Sequence, residues 1–142
     1  MLNIRDNRNA EANAKINGRS IFTTTDLGET WQEHPTSRKA LIEPLCMGSI
    51  HKHTYTVGEE EKSILLFMNP NSKTERNNLT IKVSFDDGNT WPEAYNILLD
   101  EVGGYGYSCI TSIDEGAIGV LYESSVADMT FQRISLEELI FK

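Results

Sequence analysis

Apolar residues occur along this chain in short runs, and polar segments rich in glycine, asparagine and aspartate separate those runs. Within most runs apolar and polar positions alternate, which is the side-chain period of a β-strand with one buried face. Segments predicted as strands span residues 2–5, 20–25, 46–55, 63–68, 79–85, 96–99, 107–113, 117–123 and 130–134. The pattern therefore predicts an all-β fold built from short strands.

The connecting segments have the composition expected of loops and turns. Polar loops are predicted at 6–19 and 71–78, an acidic turn at 58–62, and a hairpin turn at 114–116. The only helical signal is a single turn at 136–139, for which Ser135 is a suitable N-cap.

Two segments, 24–31 and 84–91, repeat the pattern [Ser/Thr]-x-Asp-x-Gly-x-Thr-Trp at a separation of 60 positions. Each follows a predicted strand, so the aspartate can accept hydrogen bonds from the turn, the glycine permits positive φ, and the tryptophan covers the hairpin. A third, degenerate copy without the tryptophan is predicted at 112–116. Repeated units bury their cores by stacking on one another. The repeat residues are Asp26, Gly28, Trp31, Asp86, Gly88 and Trp91.

Composition excludes several classes of partner. The chain has 142 residues and a net charge of −8, which argues against nucleic acid and anionic membrane surfaces, since both require clustered cations. The longest apolar run, 64–68, is too short to span a bilayer, and the first residues lack the features of a signal peptide. A small anionic ligand remains compatible with this charge if a few arginines converge locally.

The cysteines and paired histidines have plain structural interpretations. Cys46 and Cys109 lie in apolar runs and are expected to be small buried residues, with a disulfide as the less favoured alternative. His51 and His53 alternate along a predicted strand without a third ligand nearby, so a satisfied or solvated face is expected in preference to a metal site.

The repeat resembles the Asp box of sialidases (neuraminidases) and related β-propellers. The resemblance implies that the box residues are structural and remote from the active site. It also implies that residues 1–142 form one incomplete domain, a partial β-propeller. About two to three four-stranded antiparallel blades of a six-bladed ring are expected, from the C-terminal portion of the catalytic domain.

Four further residues match sialidase motifs. The string Leu2-Asn3-Ile4-Arg5 resembles the strand end that delivers one arginine of the carboxylate-binding triad, with Arg8 as a competitor for that role. Arg76, shortly before a box strand, matches the next triad arginine. The segment around Tyr107 resembles the one that carries the catalytic tyrosine, and Glu123 matches the glutamate that braces an arginine.

The chemistry implied by this resemblance is consistent with the residue types. Sialic acid has a carboxylate on its anomeric carbon, and guanidinium groups bind carboxylates in a bidentate manner. The same carboxylate would repel an Asp or Glu nucleophile, whereas a phenol deprotonated as it attacks avoids that repulsion. Most glycosidases use a pair of Asp or Glu carboxyl groups for catalysis, and sialidases with a tyrosine nucleophile are a recognised exception. Tyr107 would thus form a glycosyl-enzyme intermediate, with net retention.

Three groups of the sialidase motif set have no counterpart here: the first triad arginine, the acid/base aspartate and the glutamate that activates the tyrosine. The isolated chain is therefore expected to be inactive or nearly so. Open strand edges predict association with a missing N-terminal half or with a second copy. The substrate implied is a sialylated glycan, no cofactor or metal is expected, and a parent enzyme would be secreted, periplasmic or on a bacterial cell surface.

Two alternatives remain open from the sequence. One is a non-catalytic Asp-box propeller module that binds a glycan or a protein, which would need no phenol at the arginines. The other is a compact β-sandwich whose boxes are ordinary hairpins, which would place Trp31 and Trp91 in one shared core.

Overall fold

The structure is a computed structural model that describes residues 1–10, 16–126 and 128–141. Within these ranges the elements are β1 Leu2–Ile4, β2 Ser20–Thr23, β3 Gln32–Glu33, β4 Ser49–Val57, β5 Glu60–Pro70, β6 Leu79–Ser84, β7 Ile97–Asp100, β8 Ser108–Asp114, β9 Ala117–Tyr122, β10 Thr130–Ser135 and α1 Leu136–Ile140. The middle of the loop predicted at 6–19 lies outside the described residues.

The strands form three antiparallel sheets, ordered β1-β2-β3, β4-β5-β6-β7 and β8-β9-β10. Sequence neighbours pair in every sheet, so each sheet is a simple antiparallel meander. The predicted all-β fold with blade-like sheets is confirmed. The predicted helical turn is also present as α1, with Ser135 and Glu138 in a reciprocal capping box.

The predicted strand start at position 46 and the predicted turn at 58–62 are wrong. β4 begins at Ser49 instead of position 46, because Leu45 adopts a positive φ of 55° and the connector around it is not extended. The segment predicted as an acidic turn is mostly strand. Val57 pairs with Glu60 across a two-residue turn, where Gly58 supplies a φ of 66°.

The main core lies between the four-stranded sheet and the last sheet. The odd-numbered residues of β6 (Leu79, Ile81 and Val83) face this core together with Leu66 and Met68 of β5. On the other side they meet apolar residues of β8, β9, β10 and α1: Ile110, Ile118, Val120, Tyr122, Ile134 and Leu139. All of these side chains are buried.

A second, smaller core joins the opposite face of the four-stranded sheet to the first sheet. Phe67 of β5 packs there with Ile21 and Leu41, and its ring meets Trp91 edge to face at 6.2 Å between centroids. Trp31 lies elsewhere, 43% exposed, with its ring against Gly28. The β-sandwich alternative required both tryptophans in one core and is therefore wrong.

The two Asp boxes have nearly identical geometry. Asp26 accepts hydrogen bonds from the Thr24 hydroxyl (2.6 Å) and from the backbone N–H and hydroxyl of Thr30 (3.0 and 2.6 Å). Asp86 accepts the equivalent bonds from Ser84 and Thr90 at 2.7 to 2.8 Å. The hydrogen bonds from Thr24 and then Thr30 lower the pKa of Asp26, since they stabilise its charged form.

Gly28 and Gly88 have φ values of 98° and 91°, which the tight turn of each box requires. Both boxes connect the penultimate strand of a sheet to its last strand. The degenerate copy predicted at 112–116 instead joins β8 to β9, the first two strands of its sheet, so it is an ordinary hairpin. Asp114 Oδ1 accepts the Gly116 N–H there at 2.8 Å.

Candidate active site

The strand directions place all four predicted site residues at one end of the sheets. Arg5 follows the end of β1, Arg76 lies in the loop from β5 to β6, Tyr107 precedes β8, and Glu123 follows β9. A hydrogen bond of 3.1 Å between the hydroxyls of Ser49 and Ser108 aligns the starts of β4 and β8. The Asp boxes lie at the opposite end of the same strands from these four residues.

Arg76 is oriented by backbone carbonyls and lies against Tyr107. Its Nη1 donates to the carbonyl of Tyr105 at 3.0 Å, and its Nη2 donates to the carbonyl of Leu45 at 3.4 Å. The Arg76 carbonyl in turn accepts the Gly104 N–H at 3.0 Å. The guanidinium carbon lies 5.7 Å from the centroid of the Tyr107 ring, within the range of a cation–π interaction. The structure thus brings together one predicted arginine and the predicted nucleophile.

Tyr107 is held by its backbone, while its side chain stays 43% exposed. Its N–H donates to Glu123 Oε2 at 3.0 Å, and its carbonyl accepts the Glu123 N–H at 3.0 Å. The preceding Gly106 has a φ of 82°, and a Cβ at that position would lie 2.7 Å from Pro70 Cγ. Only glycine therefore lets this segment lie so close to Pro70 and direct the phenol to solvent.

Glu123 was predicted to brace an arginine. Its carboxylate accepts the Tyr107 N–H and thereby fixes the backbone of the predicted nucleophile. The bracing of an arginine stays a prediction.

Arg5 is half-buried at the same rim, close enough to Arg19 and Glu43 to affect the pKa of each. Its competitor Arg8 is engaged elsewhere. The Arg8 guanidinium pairs with Asp6 at 2.7 Å and donates to the Ser20 hydroxyl at 3.0 Å. This geometry favours Arg5 for the role of a ligand-binding arginine.

The sequence did not reveal a fully buried ion pair beneath this rim. Arg19 Nη1 lies 2.7 Å from Glu43 Oε2, and both side chains are buried. Burial lowers the pKa of Arg19 and raises the pKa of Glu43, while the attraction between them opposes both changes. The two residues are 24 positions apart, so nothing in the local pattern identifies them as partners. Arg19 does immediately precede a predicted box strand, which is the one signal available.

Cys46 is a buried free thiol at the site, as predicted, whereas the prediction that Cys109 is buried is wrong, since it is exposed. Cys46 Sγ contacts the carbonyls of Tyr105 and Gly106, each at 3.6 Å. Burial raises the pKa of the Cys46 thiol, even though Arg76 and Arg19 oppose this effect. Cys46 is thus a packing contact for the tyrosine segment and not an activated nucleophile.

The paired histidines have protein partners. His51 Nε2 and His53 Nδ1 each lie 2.8 Å from the Ser112 hydroxyl, and His53 Nε2 lies 3.0 Å from the Glu115 carbonyl. Over the described ranges, histidine, cysteine, aspartate and glutamate side chains form no cluster suited to a metal ion. A helix long and apolar enough to cross a bilayer is likewise absent from the described part of the chain.

Comparison with known families and proteins gives consistent matches. The family model for the BNR repeat-like domain matches residues 2–120. A sialidase of Bacteroides fragilis is 47% identical over 140 residues, which is 99% of this chain and 24% of that protein. A sialidase of Micromonospora viridifaciens is 32% identical over 125 residues, which is 87% of this chain and 18% of that protein.

A solved structure, described as the Hadza microbial sialidase Hz136, superimposes with a TM-score of 0.85. It is 45% identical, and the match covers 97% of this chain and 25% of that one. The chain thus spans about a quarter or less of the length of the relatives it matches.

Proposed function

Because the chain belongs to the sialidase family of BNR-repeat proteins, we propose that it forms the carboxylate-binding and nucleophile-bearing part of a retaining exo-α-sialidase. Residues 1–142 are then one portion of a single propeller domain. The observation that carries the proposal is the position of the Arg76 guanidinium, 5.7 Å from the Tyr107 ring on the rim opposite the Asp boxes.

In this proposal Arg5 and Arg76 bind the carboxylate of a terminal sialic acid. A guanidinium presents parallel N–H donors that match the two carboxylate oxygens, so binding also fixes the orientation of the sugar. Fixed carbonyl partners already orient the Arg76 side chain, which reduces the conformational entropy lost when the ligand binds.

The Tyr107 hydroxyl oxygen then attacks the anomeric carbon and forms a C–O bond, while the bond to the aglycone oxygen breaks. A base accepts the phenolic proton, and an acid protonates the departing oxygen. In the second step water cleaves the glycosyl-tyrosine bond from the same face as the leaving group, giving net retention. In this proposal other parts of the propeller supply both proton-transfer groups, so the isolated 142 residues are expected to turn over substrate very slowly.

The sheet pattern supports a propeller partner for the open edges. The central sheet has four strands, and the two flanking sheets have three each within the described residues. Their outer strands, β1 and β10, expose apolar side chains such as Leu2, Ile4 and Phe131. Unpaired edges of this kind recruit another strand. The rest of the propeller is the proposed occupant, with a second copy of the chain as the alternative.

A non-catalytic glycan-binding or protein-binding module is the alternative function. An exposed tyrosine can also stack on a sugar, so Tyr107 alone does not exclude binding without hydrolysis. Turnover is the property that separates the two.

A segment-exchange experiment tests the proposal. This chain replaces the matching 140 residues of the Bacteroides fragilis sialidase, and the chimera is assayed with a fluorogenic sialoside. We expect hydrolysis by the chimera and a loss of at least about 100-fold in kcat for Tyr107→Phe, because the nucleophile is removed.

Tyr105→Phe is the matched control, because it removes a hydroxyl from the same loop, and its kcat should stay within about 2-fold. Arg76→Lys should mainly raise KM, since an ammonium group cannot form the bidentate pair. An active chimera in which Tyr107→Phe retains full turnover would refute the assignment of the nucleophile. An inactive chimera that folds would favour the binding-module alternative.

A further inference from the structure

We propose that Arg19 and Glu43 are positioning residues: together they form a buried clamp that fixes Arg5, Arg76 and Tyr107 relative to one another. The inference rests on the proposed function for its catalytic meaning. Its structural content, that three rim segments are held by one ion pair, stands on the contacts below.

Arg19 ties β1 to the connector that precedes β4. Its Nε donates to Asn3 Oδ1 at 2.6 Å and its Nη2 to the Asn3 carbonyl at 3.0 Å. Its Nη1 donates to Glu43 Oε2 at 2.7 Å and to the Cys46 carbonyl at 2.6 Å. The guanidinium also lies 5.6 Å from the centroid of the Phe67 ring. The planar guanidinium group of arginine can donate to Asn3, Glu43 and Cys46 at the same time, whereas the single ammonium group of lysine cannot.

Glu43 uses both carboxylate oxygens as acceptors. Oε2 takes the bond from Arg19, while Oε1 takes bonds from the Asp6 N–H at 2.7 Å and from Asn9 Nδ2 at 2.6 Å. Asp6 directly follows Arg5. The clamp therefore holds the backbone on both sides of Arg5, through Asn3 before it and Asp6 after it.

The connector held by Arg19 also carries the contacts of the other two site residues. The Leu45 carbonyl accepts from Arg76, and Cys46 Sγ contacts the carbonyls of Tyr105 and Gly106 just before Tyr107. Leu45 has a φ of 55°, a conformation that persists only where neighbours enforce it. The clamp fixes this connector at Glu43 and Cys46, so a displacement there would move the partners of Arg76 and Tyr107 together.

An apolar pair of similar volume would avoid the cost of burying two charges, and such replacements are often neutral or stabilising. It would also leave the Asn3 and Cys46 carbonyls and the Asp6 N–H without these partners. The ion pair therefore supplies directional bonds to three segments, which apolar packing does not.

Glu43→Gln is the sharpest test. Gln is isosteric, but it has one acceptor oxygen and one donor nitrogen, so it cannot accept from Arg19 and from Asp6 at the same time. Asp87→Asn is the matched control, because it removes one carboxylate charge from the exposed 3.1 Å pair with Lys52 at the opposite end of the sheets. Both variants are made in the 142-residue chain with ¹⁵N labelling.

We expect Glu43→Gln to lower the order parameters of the backbone amides of residues 5, 45, 76 and 107 from the rigid range near 0.85 towards 0.6, without loss of the folded spectrum. Asp87→Asn should leave these four amides unchanged. A folded Glu43→Gln protein with unchanged order parameters at all four positions would overturn the clamp. If Glu43→Gln does not fold, Arg19→Lys is measured in the same way. Loss of the fold in both variants would overturn a positioning role in favour of a purely structural one.

The segment-exchange chimera gives the catalytic readout. Glu43→Gln should raise KM by about 10-fold and also lower kcat, because the clamp positions both the arginines that bind the carboxylate and the phenol that attacks. An unchanged KM in a folded and active variant would also overturn the clamp. If the unmodified chimera is inactive, the proposed function fails, whereas the order parameters still decide whether the clamp exists.

Discussion

Lys82 is a buried lysine whose charge should make the stability of this protein depend on alkaline pH. It lies in the middle of β6, only 5% exposed, on the face opposite the main core. Its side chain lines a cavity of about 130 Å³ together with Ile42, Trp91 and Glu93. Burial lowers the pKa of Lys82 from 10.5 to about 8, although the nearby Glu93 opposes this change.

The direction in which the free energy of unfolding changes with pH follows from the protons bound to Lys82 in the folded and unfolded states. Below pH 8 the lysine is charged in both states, and the folded state carries the full cost of burying the charge. Between pH 8 and 10.5 the folded state binds fewer protons than the unfolded state, so the free energy of unfolding rises with pH. The difference between 10.5 and about 8 corresponds to about 3 kcal/mol.

Lys82→Met removes the charge and keeps most of the length of the side chain. Urea unfolding, followed by tryptophan fluorescence from pH 7 to 10.5, should show the variant more stable than the wild type by about 3 kcal/mol at pH 7. Most of that difference should disappear by pH 10.5. The exposed Lys62→Met is the matched control and should leave the pH dependence unchanged. A constant difference between wild type and Lys82→Met across this range would refute the reasoning.

Two further predictions concern the turns at each end of the sheets. Gly106→Ala should destabilise the protein by about 1–3 kcal/mol, because a Cβ would lie 2.7 Å from Pro70 at a φ of 82°. Gly58→Ala is its control, since its φ of 66° is similar but no atom lies within 4 Å, and thermal unfolding should show a smaller loss. Asp86→Ala should cost about 1–2 kcal/mol in urea unfolding, because Thr90 and Ser84 lose their shared acceptor. An unchanged midpoint would show that the box does not stabilise the hairpin.

The sequence predicted most of the fold because strand and turn signals are local. The alternation along 79–85 and the Asp-x-Gly-x-Thr-Trp turns depend only on near neighbours, and both are seen in the structure. The start of β4 was misplaced because the alternating pattern does not reveal the positive φ of Leu45, whose carbonyl accepts from the sequence-distant Arg76. The degenerate box was misassigned because its composition matches a box, and only sheet topology distinguishes the two.

The candidate site was predictable only where family motifs are contiguous. Arg76 and Tyr107 were selected from short strings, and the structure places them against each other. The Arg19–Glu43 pair could not be found in this way, because its partners come from three segments joined only by folding. The burial of Lys82 was equally hidden, since an alternating strand gives no sign that both of its faces will be covered.

The most direct test of the central claim is to trap the glycosyl-enzyme intermediate. The chimera is incubated with a 3-fluorosialosyl fluoride, whose 3-fluorine slows hydrolysis of the covalent intermediate, and its peptides are mapped by mass spectrometry. The account predicts a sialosyl adduct on the Tyr107 phenol that is absent from Tyr107→Phe and retained in Tyr105→Phe. An active enzyme whose adduct lies on any other residue would contradict it.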